Sequence, residues 1–255
     1  MSWNPAQYLK FAQPRLRPAL DLLARVPLDD PRHVCDLGCG TGSLTRVMAE
    51  RWPQAQVTGI DSSASMLQQA SETPANVHWL QQDMATWAPR QSPDLIYSNA
   101  ALHWLPDHAT LMPRLLSQLS PGGVLAIQMP RNFAAPSHTA ITDTVTSGAW
   151  RARLEPLLRP TPVATPAWYI DLLASHAAEL DVWETEYQQI LTGTDPVKEW
   201  TKGTWLGSFL AQLDEAEREA FERDYAARVA LAYPQRADGT TLFPFRRLFI
   251  IARKG

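Results

Sequence analysis

Five short apolar runs in the first half of the chain alternate with amphipathic stretches. Val34, Cys35 and Leu37, then 56–61, 76–81, 94–98 (DLIYS) and 124–129, read as strands. Between them, Leu44, Val47 and Met48, then Met66, Leu67 and Ala70, then Leu111, Leu115 and Leu119, follow the period of a helix. The last of these helices starts at Asp107 and stops at Pro121-Gly122-Gly123, and an earlier helix over 15–26 carries Leu16, Leu20 and Leu23. Strand and helix in strict alternation predict a parallel, doubly wound sheet. Beyond Pro130 the rhythm changes. Stretches 137–147 and 168–175 look helical around a proline-rich segment (PLLRPTPVATP, 156–166), which cannot be a central strand or a long helix. Alternation returns at 181–191 (DVWETEYQQIL), and 196–233 is helical with Leu210, Leu213, Phe221, Tyr225 and Val229 as its buried stripe. A seventh strand over 245–252 (FRRLFIIA) closes the chain. The expected fold is α/β: a seven-stranded, doubly wound, Rossmann-like sheet with a helical cap. Its parts are an N-terminal arm and helix (1–30), a core (31–130), a helical insertion (131–178), strand six (179–194), a second helical insertion (195–240) and strand seven (241–255).

The first strand runs into His33-Val34-Cys35-Asp36-Leu37-Gly38-Cys39-Gly40-Thr41-Gly42-Ser43. Glycines permit positive φ and bring a ligand against main-chain N–H groups at a helix start. The spacing is not the dinucleotide G-x-G-x-x-G, and Asp36 sits inside the loop. An acid there suits a ligand with a cationic end, such as the ammonium and sulfonium of S-adenosylmethionine. The second strand ends at Asp61, where an acid accepts both ribose hydroxyls in nucleoside-binding α/β folds. Ser62 or Ser63 caps the next helix. The third strand leads to Asp83, a third acid in series, either a ligand contact or a helix N-cap. Asn99, His103 and Trp104 follow the fourth strand, on the edge where open α/β sheets bind ligands; a lone histidine is more often structural than a substrate contact.

Composition narrows the class. With 255 residues, 45% of them hydrophobic, the chain can bury one substantial core with a small cap. A net charge of −3 with mixed signs leaves no basic run for nucleic acid. No apolar stretch is long enough to span a membrane, and MSWNPAQY lacks a signal peptide's regions, so a cytoplasmic protein is expected. Cys35 and Cys39 read as reduced, packing thiols, and the scattered histidines predict no metal.

Asp36-Leu37-Gly38-Cys39-Gly40-Thr41-Gly42, Gly59-Ile60-Asp61 and Gln82-Asp83-Met84 together resemble the class I S-adenosylmethionine-dependent methyltransferases. A narrower resemblance, to the trans-aconitate 2-methyltransferase family, runs from residue 3 to residue 253. It is carried by Trp3-Asn4-Pro5-x-x-Tyr8, Arg15-x-Arg17-Pro18, Gly59-Ile60-Asp61-Ser62-Ser63, Ser98-Asn99-Ala100, Trp104-Leu105-Pro106-Asp107-His108, Gln128-Met129-Pro130-x-Asn132 and Arg247-Leu248-Phe249-Ile250. The resemblance implies S-adenosylmethionine as cofactor, S-adenosylhomocysteine as its product, and a methyl ester formed on a small polycarboxylic acid. It implies cofactor contacts at Asp36, Gly38, Gly40, Asp61, Ser62, Met66, Asp83, Met84, Asn99 and Ala100, with Asp83 and the Met84 N–H meeting the adenine.

A carboxylate is ionised at neutral pH, so no general base is expected and none is assigned. Alignment in a dry pocket is what such a displacement needs. Trp3, Tyr8 and Trp205 offer apolar walls, with the aromatic arm around Trp3 and Tyr8 either a lid or a cover for the sheet edge. Arginine forks suit the remaining carboxylates, and the candidates are Arg131, Arg17 and one of Arg246 and Arg247, which face opposite sides of a strand. Arg247 matches the family pattern. The acceptor site is thus expected at Trp3, Tyr8, His103, Trp104, Arg131, Asn132, Trp205 and Arg247. Two departures bear on it: Gly207 stands where the family carries an arginine, and His103 where a glutamine is typical. The alternatives are another small-molecule O- or N-methyl transfer, a malonyl carrier-protein methyltransferase docking on Arg151, Arg153 and Arg159, and a non-catalytic cofactor-binding module. A small-molecule acceptor, no nucleic acid or membrane partner, and a monomer or homodimer are expected.

Overall fold

The computed structural model describes residues 12–255, with side chains from residue 16 onward. In chain order the elements are α1 (Ala12–Ala24), β1 (His33–Leu37), α2 (Ser43–Arg51), β2 (Gln56–Asp61), α3 (Ala64–Glu72), β3 (Val77–Gln81), β4 (Leu95–Asn99), α4 (His108–Ser117) and β5 (Val124–Pro130). There follow α5 (Pro136–Ser147), α6 (Arg151–Leu154), α7 (Pro166–Leu173), β6 (Glu179–Leu191), α8 (Pro196–Lys202), α9 (Trp205–Leu210), α10 (Glu215–Ala232) and β7 (Thr241–Arg253). The strands form one sheet in the order β3-β2-β1-β4-β5-β7-β6. Strands β1 to β5 pair in parallel, and the apolar runs of β1, β2, β4 and β5 are buried: Val34, Leu37, Ile60, Leu95, Ile96, Val124 and Ile127 expose at most 1% of their surface, whereas β3, at the edge of the sheet, has no fully buried residue. The reversal of strand order beside β1 puts the tips of β1 and β4 at the switch point where such sheets bind ligands.

The sheet is mixed rather than wholly parallel. Strand β7 runs antiparallel to β5, with Val124 opposite Arg253 and Pro130 opposite Arg247. A further parallel strand would need a crossover back to the start of β5, and the chain makes none there. Helix α4 ends at Ser117, before Leu119, and the helical 196–233 stretch is three helices, interrupted at Gly203-Thr204 and at Asp214. Asp214 and Glu217 form a reciprocal capping box at the last of these. Strand β7 also begins four residues earlier than expected, at Thr241.

By its contacts the chain divides into two compact units. The larger holds Leu16–Pro130, Pro162–Thr185 and Arg247–Gly255; the smaller holds Arg131–Thr161 and Glu186–Arg246. Helix α7, within the stretch that the sequence groups with the first insertion, therefore clusters with the sheet. His108 on α4 lies 2.6 Å from the Tyr169 hydroxyl on α7. The smaller unit has its own core, in which the whole stripe of Leu210, Leu213, Phe221, Tyr225 and Val229 is buried with Trp200, Phe243 and Ile141. Among the described residues no helix is long and apolar enough to cross a membrane.

Candidate active site

The glycine loop curls back onto the end of β2. Gly38, Gly40 and Gly42 all have positive φ, at 75°, 55° and 72°. The N–H groups of Gly38 and Cys39 donate to the Ile60 carbonyl at 2.8 and 3.0 Å, Gly40 N–H donates to Asp61 Oδ2 at 2.9 Å, and Gly42 N–H to the Cys39 carbonyl. These N–H groups are therefore not bare, as the sequence pattern had implied: the tight turn that exposes the loop also satisfies its donors. The three glycines serve different ends. A Cβ on Gly38 would stand 2.2 Å from Ala101 Cβ and 3.0 Å from Met84 Sδ, and one on Gly42 would stand 2.3 Å from the Trp79 ring. Around Gly40 no atom of the described residues lies within 4 Å of that point. Gly38 thus gathers the tips of β3 and β4 around the end of β1, while Gly40 faces open space.

The three acids divide as well. Asp36 is buried beneath the loop, 2% exposed, and takes a 2.6 Å hydrogen bond from Thr45 Oγ1 on α2. Burial pushes its pKa up to about 7, against the Thr45 hydrogen bond and helped by the nearby Asp61 charge. Asp36 is thus committed to Thr45 beneath the loop rather than lining the loop's open side. Asp61 is half-buried; Oδ2 accepts from Gly40 N–H and Oδ1 from Ser63 N–H, each at 2.9 Å, which fixes the carboxylate while leaving lone pairs on both oxygens. Ser63, not Ser62, caps α3 by accepting from the Met66 N–H. Asp83 is exposed and accepts from the Ala85 N–H at 2.8 Å, capping a turn rather than a helix.

At the tip of β4, Ala100 has φ +51°, a conformation that L side chains rarely adopt, and its N–H donates to the Gln128 carbonyl at 2.9 Å. A single helical turn, Leu102–Trp104, follows: His103 is buried and Trp104 is 40% exposed, their ring centroids 4.7 Å apart. Two supports of this edge escape the sequence. His108 spans the Leu102 carbonyl and the Tyr169 hydroxyl, at 3.0 and 2.6 Å, and burial lowers its pKa. Arg114 on α4 donates to the carbonyls of Ala85 and Trp87, at 2.9 and 2.7 Å, and clamps the loop that carries Asp83 and Met84. The His108–Tyr169 bond and the Arg114 clamp span 27 residues or more, and no local pattern announces them.

The predicted acceptor residues fall in both units. In the larger, Arg247 is 7% exposed, whereas its neighbour Arg246, in the smaller unit, points outward to Glu186 at 3.6 Å, as strand alternation requires. In the smaller unit, Asn132 is committed to structure: Oδ1 accepts from the Arg246 N–H and Nδ2 donates to Ser137 Oγ. Arg131 and Trp205 are half-buried, Trp205 standing edge-on to Phe133 with centroids 5.3 Å apart. A Cβ on Gly207 would stand 2.9 Å from the Lys202 carbonyl, so the family's arginine does not fit here without moving α9 from α8. Arg17 lies on the exposed face of α1, 3.9 Å from Asp21. Trp3 and Tyr8 lie outside the described residues. Arg151 pairs with Glu155 and Arg153 with Glu217, which neutralises most of the basic patch suited to a carrier protein.

Comparison with known proteins places this arrangement. Residues 8–169 match a methyltransferase-domain family model. Trans-aconitate 2-methyltransferase of Azoarcus sp. (strain BH72) is 51% identical over 98% of both chains, that of Methylobacterium radiotolerans 47% identical over 99% of this chain and 98% of its own, and that of Agrobacterium fabrum 43% identical over the full length of both. Among solved structures, the YcgJ protein of Bacillus subtilis superposes with TM-score 0.60 at 16% identity, over 92% of this chain and 97% of that one. A Haemonchus contortus phosphoethanolamine N-methyltransferase bound to S-adenosylhomocysteine gives 0.55 at 17% identity over 94% of this chain, which spans about half (53%) of that longer protein. The solved structures share the fold, and the full-length sequence relatives fix the lineage: this chain belongs to the trans-aconitate 2-methyltransferase family.

Proposed function

We propose that the protein esterifies one carboxylate of trans-aconitate, or of a closely related small polycarboxylic acid, with the methyl group of S-adenosylmethionine. The observation that carries the reading is the Asp61 carboxylate, fixed by the Gly40 and Ser63 N–H groups beside the open side of Gly40, in a chain 51% identical to a trans-aconitate 2-methyltransferase. The residues fit the cofactor: Asp61 offers paired acceptors to a ribose diol, Asp83 and Met84 stand on the clamped loop where an adenine would lie, and Asp36 supplies negative potential for the cationic end. Asn99 and Ala100 close the site at β4, and Ser62 and Met66 flank Asp61. When bound, the cofactor supplies an electrophilic methyl carbon whose bond to sulfur breaks, the electron pair remaining on sulfur. The acceptor carboxylate arrives ionised, so no side chain has to move a proton. What the protein contributes is alignment and exclusion of water, worth about 7–11 kcal/mol in favourable cases. Trp104 offers an apolar wall and Arg247 a charge partner for a second carboxylate. A small-molecule acceptor and a cytoplasmic setting, where the donor is made, accord with this chemistry.

The test is a labelled-methyl assay over di- and tricarboxylic acids, phenols and amines. Base-labile label on trans-aconitate is expected; label that survives mild alkali on a phenol or amine overturns the ester. In parallel, Asp61→Ala is expected to weaken donor binding about 100-fold by calorimetry, the scale of two lost charge-assisted hydrogen bonds. Unchanged affinity would remove the cofactor assignment.

A further inference from the structure

Gln128, the fifth residue of β5, is 1% exposed, and neither Oε1 nor Nε2 has a hydrogen-bond partner among the described residues. Both ends being unpaired, exchanging the amide oxygen and nitrogen would not mend it. The residue is not loosely held: its carbonyl accepts from the Ala100 N–H, and its register partners are Asn99 on β4 and Phe249 on β7. Register partners present their side chains to the same face of the sheet. On that face, Phe249 stacks against Trp183 at 4.8 Å and offers the amide nothing polar. On the other flank, Asn99 Oδ1 is itself buried and unpartnered. Native proteins rarely leave such groups unmatched, and an orphaned pair on β4 and β5, the next two strands after β1, whose loop carries Gly38 and Gly40, calls for a ligand.

The strand order says which part of the reaction the amide meets. The glycine loop, Asp61 and Asp83 belong to β1, β2 and β3, on one side of the switch point, while β5 lies on the other side of β4. We propose that Gln128 is a substrate-positioning residue: its Nε2–H binds the oxygen of the acceptor's reacting carboxylate that does not attack, leaving Oε1 for a water that accompanies the acid. This rests on the carboxylate methylation proposed above. Chemistry favours an amide at this point. An arginine would hold the nucleophilic carboxylate more tightly but neutralise the charge it brings to the methyl carbon. A neutral donor fixes its orientation and leaves its charge in place.

Wild type, Gln128→Leu and Gln128→Glu, each as the full chain, decide the matter through the unliganded melting temperature, the donor Kd, and kcat and KM on trans-aconitate. For Gln128→Leu the expected result is a Tm raised by about 3 °C, since an orphaned amide is removed, with donor affinity within twofold and kcat/KM lowered about 30-fold. Gln128→Glu, which sets a like charge against the acid, should lose more, chiefly in KM. A lowered Tm in Gln128→Leu would make the residue an ordinary structural amide. Weaker donor binding with unchanged KM would assign it to the donor, and kcat/KM within threefold of wild type would remove it from the reaction; each overturns the proposal. If wild type leaves trans-aconitate unmethylated, the proposed function fails by itself. The same variants are then read on the acid that the panel identifies, and the Tm comparison holds unaltered.

Discussion

Near the tips of β4 and β5 the larger unit buries Asn99 Oδ1 and the Gln128 amide without partners among the described residues and holds Ala100 at φ +51°. In the smaller unit, the equally buried Tyr225 hydroxyl donates to the Ser137 carbonyl at 2.8 Å and lies 3.0 Å from Thr201 Oγ1, while Asn132 uses both ends of its amide. Among the described residues of the smaller unit, Thr144 Oγ1 is the exception. The sheet edge carries dissatisfaction and strain that a domain built only for stability would have removed, whereas the helical core is closed on itself. Such local conflicts concentrate where ligands complete the structure. The contrast breaks if the edge is as relaxed as the core.

Asp36 gives the largest test. Its folded-state pKa of about 7 lies above the ordinary 3.8, so between those values the folded chain holds the proton more firmly than the unfolded chain. Its contribution therefore favours folding at acid pH and is lost as pH rises through 7. Denaturant titrations from pH 4 to 7 should show wild type losing stability relative to Asp36→Asn by up to about 1.4 kcal/mol per pH unit. Parallel curves would mean that the acid beneath the loop is at ease, and the comparison would lose its strongest member.

The smaller unit supplies the opposite case. Tyr225→Phe removes one buried hydroxyl that serves two partners, the Ser137 carbonyl and Thr201 Oγ1, for an expected loss of about 1–1.5 kcal/mol in denaturant unfolding. Gln128→Leu should move stability the other way. Should both variants destabilise alike, the buried polar groups of the two units do not differ in kind.

Much of this was legible in the sequence, for physical reasons. The parallel strands carry short apolar runs, the glycine loop needs positive φ, and the stripe from Leu210 to Val229 repeats at helical spacing, so local pattern alone located them. What failed to show was direction and distance. Asp36-x-Gly38 reads the same whether the acid faces the ligand or Thr45 beneath the loop. The Arg114 clamp and the His108–Tyr169 bond join residues far apart in sequence, and Gln128 sits in an apolar run whose period says nothing of an unmatched amide. The capping box at Asp214 and Glu217 was readable in D-x-x-E and marks a break that the helical stripe concealed.

The smallest effect isolates backbone strain from hydrogen bonding. Among the described residues, three that are not glycine have positive φ: Asp107, Asp195 and Ala100. Aspartate tolerates this region because its side chain bonds locally, as Asp107 does in accepting from the Thr110 N–H, whereas alanine has no such recourse. Replacing Ala100 by glycine relieves about 1–2 kcal/mol of left-handed strain but adds about 0.4–1 kcal/mol of unfolded-state entropy. The net expectation is a gain of about 0.5–1 kcal/mol for Ala100→Gly, with Asp195→Gly in the smaller unit near zero or slightly negative. A loss at position 100 in the same denaturation experiment would show that the tip of β4 is relaxed, and strain would then have to be struck from what sets the two units apart.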